Sequence, residues 1–254
     1  ICSTDIQTTM GTTIIIFITL LAIANGAWLS CLVWDTTTLR FRLAVGAIVG
    51  VALLAWIGFL SALAFGLNRF SIGLTAAILA ASLGALIGKI PVGAFRARLS
   101  KESLGTFGAV YYLAWTALLA WLFSRVVMFY PDGLHTSPAN NFGDLPFHFG
   151  VITSMAYGEN LPPQSPIFAG MKFTYPFLID FLTAFFINCG ADWRAAFFVE
   201  NIVLALALVI VIELMTGRIT KNQVAAFMAP VIFLFNGGFG FINFFRQLSE
   251  FFND

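Results

Sequence analysis

Charge is scarce in this sequence. Only 10% of its 254 residues are Asp, Glu, Lys or Arg, against 59% hydrophobic, where a soluble domain carries roughly 25% charged residues. A soluble globular enzyme, a disordered chain and a basic nucleic-acid binder all depend on surface charge, so the shortage excludes all three. Neither sign dominates, with 13 basic residues against 12 acidic ones. Cysteine is scarce too. Cys2, Cys31 and Cys189 are scattered and form no C-x-x-C, which excludes a disulfide framework and a thiolate metal site. Those in apolar surroundings read as small buried hydrophobes. No HExxH, GxSxG or Walker pattern occurs, and no internal repeat is visible. The stretch 14–34 lacks a basic leader and is too long for a signal peptide. With Ile1 at one end and Phe251-Phe252-Asn253-Asp254 at the other, the chain reads as a piece of a longer protein.

What remains is hydrophobic length. Uncharged intervals of 29 residues (Asp5 to Asp35), 26 (Arg42 to Arg69), 19 (Arg69 to Lys89), 22 (Glu102 to Arg125) and 24 (Lys221 to Arg246) follow one another. About 20 residues are enough to cross a bilayer as a helix. Two further apolar stretches contain Asp180, and Glu200 with Glu213. The expectation is an all-α, polytopic helical membrane protein. Its seven or so transmembrane helices fall at about 12–34, 43–67, 70–90, 106–130, 174–190, 195–216 and 223–245. The organisation is an N-terminal bundle (1–130), a polar loop (131–172) and a C-terminal membrane segment (173–254). Basic linkers mark the cytoplasmic side: Arg40 and Arg42 after the first helix, and Arg96, Arg98 and Lys101 after the third. That places 131–172 outside the cell (cytoplasmic or inner) membrane, with eight basic residues inside and five outside. Arg218 and Lys221 count against it.

The loop 131–172 is the exception to the apolar rule. It contains both histidines, His135 and His148, six of the nine prolines, and Asp132, Asp144 and Glu159, with Lys172 its only base. Loops of this length are usually functional or disordered, and its phenylalanines argue against disorder. The stretch 145–157 reads as a short helix capped by Asp144, with Pro146 in its first turn; it is too short to span and suited to lie along the interface. Pro162-Pro163-Gln164-Ser165-Pro166 reads as a stiff extended link back to the next span.

Asp144 and His148 stand four apart and share a helical face. The pair suits a general base with an orienting or phosphate-binding imidazole, or two ligands of a divalent metal ion, or an N-cap aspartate followed by a hydrated histidine. Lys172 suits a snorkelling anchor or a phosphate contact, with Arg125 as its nearest helper. Carboxylates in lipid are costly and mark function by default, which singles out Asp180 and Glu200; Glu200 also suits a place beside Arg194. Asn236-Gly237-Gly238-Phe239-Gly240-Phe241 breaks the last span and permits close packing.

Four stretches taken together resemble the GT-C superfamily of membrane glycosyltransferases, the relatives of protein O-mannosyltransferases and of the aminoarabinose transferase of lipid A. They are Gly143-Asp144-Leu145-Pro146-Phe147-His148-Phe149, Tyr157-Gly158-Glu159-Asn160-Leu161-Pro162-Pro163, Ala169-Gly170, and Tyr175-Pro176-Phe177-Leu178-Ile179-Asp180-Phe181-Leu182. The Asn236–Phe241 run fits the same group, and the likeness covers roughly 125–245. The resemblance implies a cell-envelope transferase with a polyprenyl-phosphate sugar donor and a glycan, lipid or protein acceptor. It implies Asp144 as catalytic base with His148 beside it, and Asp132 in reserve; Glu159 is a further reserve acid of the same loop. Lys172, with Arg125 and Tyr175, would meet the donor phosphate. Two departures stand out: Lys172-Phe173-Thr174-Tyr175-Pro176 replaces the family's basic-Pro-Pro-Leu approach to the next span, and more spans precede the loop than the one of better-known members. The rival expectation is an ion-coupled transporter or lipid flippase that uses Asp180 and Glu200.

Overall fold

The computed structural model describes residues 2–101, 104–136, 144–168 and 170–235. The described residues form α1 (Cys2–Ser30), α2 (Leu39–Phe65), α3 (Arg69–Lys89), α4 (Val92–Ala97), α5 (Gly105–Phe123), a hairpin of β1 (Val127–Tyr130) and β2 (Gly133–Thr136), then α6 (Leu145–Ala156), α7 (Leu178–Asn188), α8 (Trp193–Thr220) and α9 (Gln223–Leu234). Five helices are long and apolar enough to cross a membrane: α1 over Thr8–Ser30, α2, α3, α5 and α8. The protein is therefore a mostly helical, membrane-embedded chain. It divides into two compact units, 1–208 and 209–254, with the boundary inside α8. The second unit contains the end of α8 and α9, where Asn222 caps α9 through the Val224 and Ala225 amides.

Helix starts follow local chemistry. The Thr38 hydroxyl accepts from the Phe41 amide at 3.3 Å, and Asn68 and Ser71 form a reciprocal capping box on α3, each satisfying amides that a helix leaves open. Between α1 and α2 the packing rests on missing side chains. A Cβ on Gly26 would lie 2.5 Å from the Gly46 carbonyl, and one on Gly50 would run into the Ala22 carbonyl. Gly46 and Gly50, four apart, thus present bare backbone to α1, the small-residue contact that lets helices approach in lipid. α3 is tied to α1 by the Asn25 amide, which donates to the Leu79 carbonyl at 3.0 Å.

Arg42, read from sequence as a cytoplasmic charge, is 0% exposed. It donates to Ser30 Oγ at 2.9 Å and to the carbonyls of Trp34 (3.1 Å), Asp35 (3.2 Å) and Arg98 (3.4 Å), over the Phe95 ring. Arg98 in turn donates to the Cys31 carbonyl at 2.8 Å.

Several expectations need correction. The fourth helix does not run over 106–130: it stops at Phe123, and Val127–Tyr130 pairs with Gly133–Thr136 about a two-residue turn. Gly133, the first residue of β2, has φ 137°, a backbone conformation that glycine adopts readily. In place of 174–190, α7 has eleven residues, a rise of about 16 Å, half of a roughly 30 Å hydrocarbon core. Every residue from Asp180 to Ile187 is buried, so its apolar character serves a protein core. Phe181, Phe185 and Phe186 are at most 1% exposed. The chain leaving α7 meets α1, where a Cβ on Gly11 would strike the Gly190 backbone. The proline link at 162–166 doubles back instead of extending: Gln164 bridges Lys172 and the Ser165 amide donates to the Met171 carbonyl at 2.8 Å.

The short helix expected at 145–157 is present as α6, packed through Leu145, Val151, Ile152 and Met155. Its Asp144 makes no side-chain cap bond. The 223–245 helix is described as far as Leu234; the Asn236–Phe241 run, Gly143, Ala169 and Arg246 lie outside the described residues.

Candidate active site

α6 and α7 pack together and bring two distant residues into contact. His148 Nδ1 and Asp180 Oδ1 share a hydrogen bond at 2.8 Å, with side-chain exposures of 26% and 5%. An ionised Asp180 accepts from Nδ1–H, which fixes the tautomer and directs Nε2 away from the carboxylate. Burial raises the Asp180 carboxyl above its ordinary range, while the charge and hydrogen bond of His148 pull it back down. The imidazole is steadied by the edges of Phe147 and Tyr175, with ring centroids 5.6 and 5.8 Å away.

One turn along α7, the Thr183 hydroxyl donates to Glu200 Oε1 at 2.7 Å. Thr183, not Arg194, is the hydrogen-bond partner of Glu200. Asp180 and Glu200 each retain one buried oxygen, Oδ2 and Oε2, without a hydrogen-bond partner among the described residues. The polar line His148–Asp180, Thr183–Glu200 therefore joins α6, α7 and α8. Thr183 was missed by sequence reasoning because a threonine inside an apolar helix ordinarily bonds its own backbone, as Thr183 also does weakly with Ile179 at 3.3 Å.

A cleft of about 270 Å³ opens over this line. Phe123 and Val126 line it at the end of α5, Asp144, Leu145 and His148 on α6, and Phe197 and Asn201 on α8. Asp144 is exposed at its wall. The expected face shared by Asp144 and His148 is thus a real one, and it borders open space. Asn201 is a second residue that sequence reasoning missed; an amide in the middle of a span was the available signal.

The other expected residues lie elsewhere. Asp132 sits in the hairpin turn and pairs with His135 Nε2 at 3.0 Å, both side chains exposed. Glu159 is exposed in the turn after α6, at φ 52°. Lys172 is exposed on the doubled-back loop. Arg125 stacks over Trp121 at 5.1 Å, although nearby Phe123 and Val126 line the cleft. Tyr175 stays with the site through its contact on His148. Cys31 is buried, as expected of a small hydrophobe, whereas Cys189 is half-buried, and desolvation pushes its thiol up to about 12.

Asp144 and His148 can offer a divalent ion one carboxylate and one imidazole nitrogen, Nδ1 being taken by Asp180. Among the described residues no group of three or more His, Cys, Asp or Glu converges on a common point. The donor set is thin for a resident metal, and the chemistry below needs none.

Fold and site together describe a multi-helix membrane protein with an Asp–His cleft seated on buried carboxylates. No family model, curated protein or solved structure matches this chain.

Proposed function

We propose that this chain is the membrane part of a glycosyltransferase of GT-C type, moving a sugar from a polyprenyl-phosphate donor to an acceptor hydroxyl at the outer membrane face. The observation that carries the reading is the open cleft where Asp144 and His148 meet, with His148 held from behind by Asp180. In the proposed step Asp144 takes the proton of the acceptor hydroxyl. The freed oxygen attacks the anomeric carbon from the face opposite the phosphate. The carbon–oxygen bond to the phosphate breaks, its electron pair stays on the leaving lipid phosphate, and configuration inverts. The imidazole of His148, oriented by its hydrogen bond to Asp180, stands beside that developing charge. Arg125 and Lys172 would have to swing in from their exposed positions to help it, and Tyr175 borders the imidazole.

The outer placement rests on counting crossings. With α7 not crossing, α8 carries the chain back, so Arg218 and Lys221 join the basic side and Arg194 leaves it. Eight basic residues then stand inside against four outside among the described residues. The same twelve residues divide seven against five in the seven-helix reading, so the bias moves by one residue in the direction of the positive-inside rule.

The decisive experiment is sugar transfer from a labelled polyprenyl-phosphate donor by vesicle-embedded protein. Asp144→Asn lowers turnover by about 100-fold or more, the usual worth of a general base; turnover near that of the unaltered protein overturns the assignment. One observation favours a second reading, ion-coupled transport: the two unpartnered buried oxygens of Asp180 and Glu200. That reading predicts uptake into vesicles that Glu200→Gln abolishes and Asp144→Asn leaves intact.

A further inference from the structure

Away from the cleft, two adjoining hollows of about 590 Å³ each run along α1 and α3 and share Met10, Ile14, Ile72 and Gly73. The first is walled by apolar side chains, Phe17, Ile18 and Ala76 among them. The second continues it to Arg69, at the first turn of α3, and to Asn188 and Gly190 at the end of α7. Gly73 faces the open space of the groove: a Cβ there would meet nothing within 4 Å.

The two ends differ in chemistry. No acidic residue lines either hollow among the described residues, and Arg69 is exposed and has no carboxylate partner among them. The Asn188 amide is already spent on the Ala156 and Ala184 carbonyls, both at 3.1 Å. The guanidinium of Arg69 is therefore the uncommitted donor at the mouth of an apolar channel. It stands at the end of a membrane-length helix, the depth at which lipid headgroups lie. A guanidinium with free N–H groups suits a phosphate oxygen, and the channel beneath it suits an acyl chain.

We infer that this groove is a binding site for an anionic phospholipid of the surrounding bilayer, its chain between α1 and α3 and its headgroup on Arg69. The site is independent of the glycosyl-transfer reading and stands or falls separately from it.

The test is native mass spectrometry of the detergent-purified full chain titrated with dioleoyl phosphatidylglycerol or dioleoyl phosphatidylcholine. The unaltered protein binds the anionic lipid about fivefold more tightly, the effect of one basic side chain near a charged headgroup. Arg69→Gln abolishes that preference while leaving phosphatidylcholine binding unchanged. Gly73→Phe fills the channel from a position with open space around it and weakens both lipids. Equal affinities in the unaltered protein, or a preference that survives Arg69→Gln, overturn the site. Unchanged binding in a folded Gly73→Phe protein overturns the channel.

Discussion

The α1–α2 seam and the α6–α7–α8 junction are both buried, yet opposite means hold them together. At the seam, Gly26, Gly46 and Gly50 remove side chains so that backbone meets backbone, and away from the Arg42–Ser30 bond at its end the helices join by shape. At the junction, His148, Asp180, Thr183 and Glu200 reach across three helices through two short hydrogen bonds. Shape is cheap in lipid, where apolar surfaces gain little by meeting one another and close van der Waals packing supplies the attraction. Buried carboxylates are costly there. A site that must present charge to a cleft needs the second kind of construction, and the glycine seam provides the rigid neighbour against which it is built.

That contrast can be broken at three points. The largest effect falls at the seam. Gly50→Val drives a side chain into the Ala22 backbone, which has no flexible end to move aside. A loss of about 3 kcal/mol or more in detergent unfolding is expected, at the upper end of overpacking costs; Gly73→Ala, in open space on α3, is the matched control and stays within about 0.5 kcal/mol. A Gly50→Val protein as stable as that control would show that the helices slide apart freely.

Next comes Asp180→Leu, which leaves His148 without its partner. Breaking a buried pair costs about 3–5 kcal/mol, but a quarter of the His148 side chain meets solvent, so about 2 kcal/mol is expected from the same unfolding assay. The smallest effect is Thr183→Val. It keeps the shape and removes one donor, leaving Glu200 Oε1 unpartnered, for about 1–2 kcal/mol. If Thr183→Val outweighs Asp180→Leu, the junction is anchored on α8 and not at the cleft.

Much of this architecture was legible. Four of the uncharged intervals locate α1, α2, α3 and α5, because lipid punishes charge and the termini collect it; the fifth interval holds the shorter α9, and α8 was found as an apolar stretch despite Glu200 and Glu213. α6 was read to within a residue of its end, since Pro146 and a regular apolar pattern are local signals. The errors share one cause: an apolar run looks the same whether lipid or protein covers it. The run through Val126 to Tyr130 became a strand, although Pro131-Asp132-Gly133 offered a turn. The run 174–190 became a short core helix wrapped by protein. The pairing of His148 with Asp180 links residues 32 apart, and no spacing rule reaches that far. Asp144 and His148 were legible as a pair because four residues on one helix suffice to bring them together. Their cleft was not, because its other walls come from α5 and α8.

Arg42 carries a consequence for how the chain is made. Its guanidinium is closed over by carbonyls, the last of them supplied by Arg98, 56 residues later. Until residue 98 has been made, that charge has only part of its cage. Once residue 98 arrives, the same group turns inward and locks the ends of α1, α2 and α4 together. The bolt of the finished protein is thus closed only when its last carbonyl arrives.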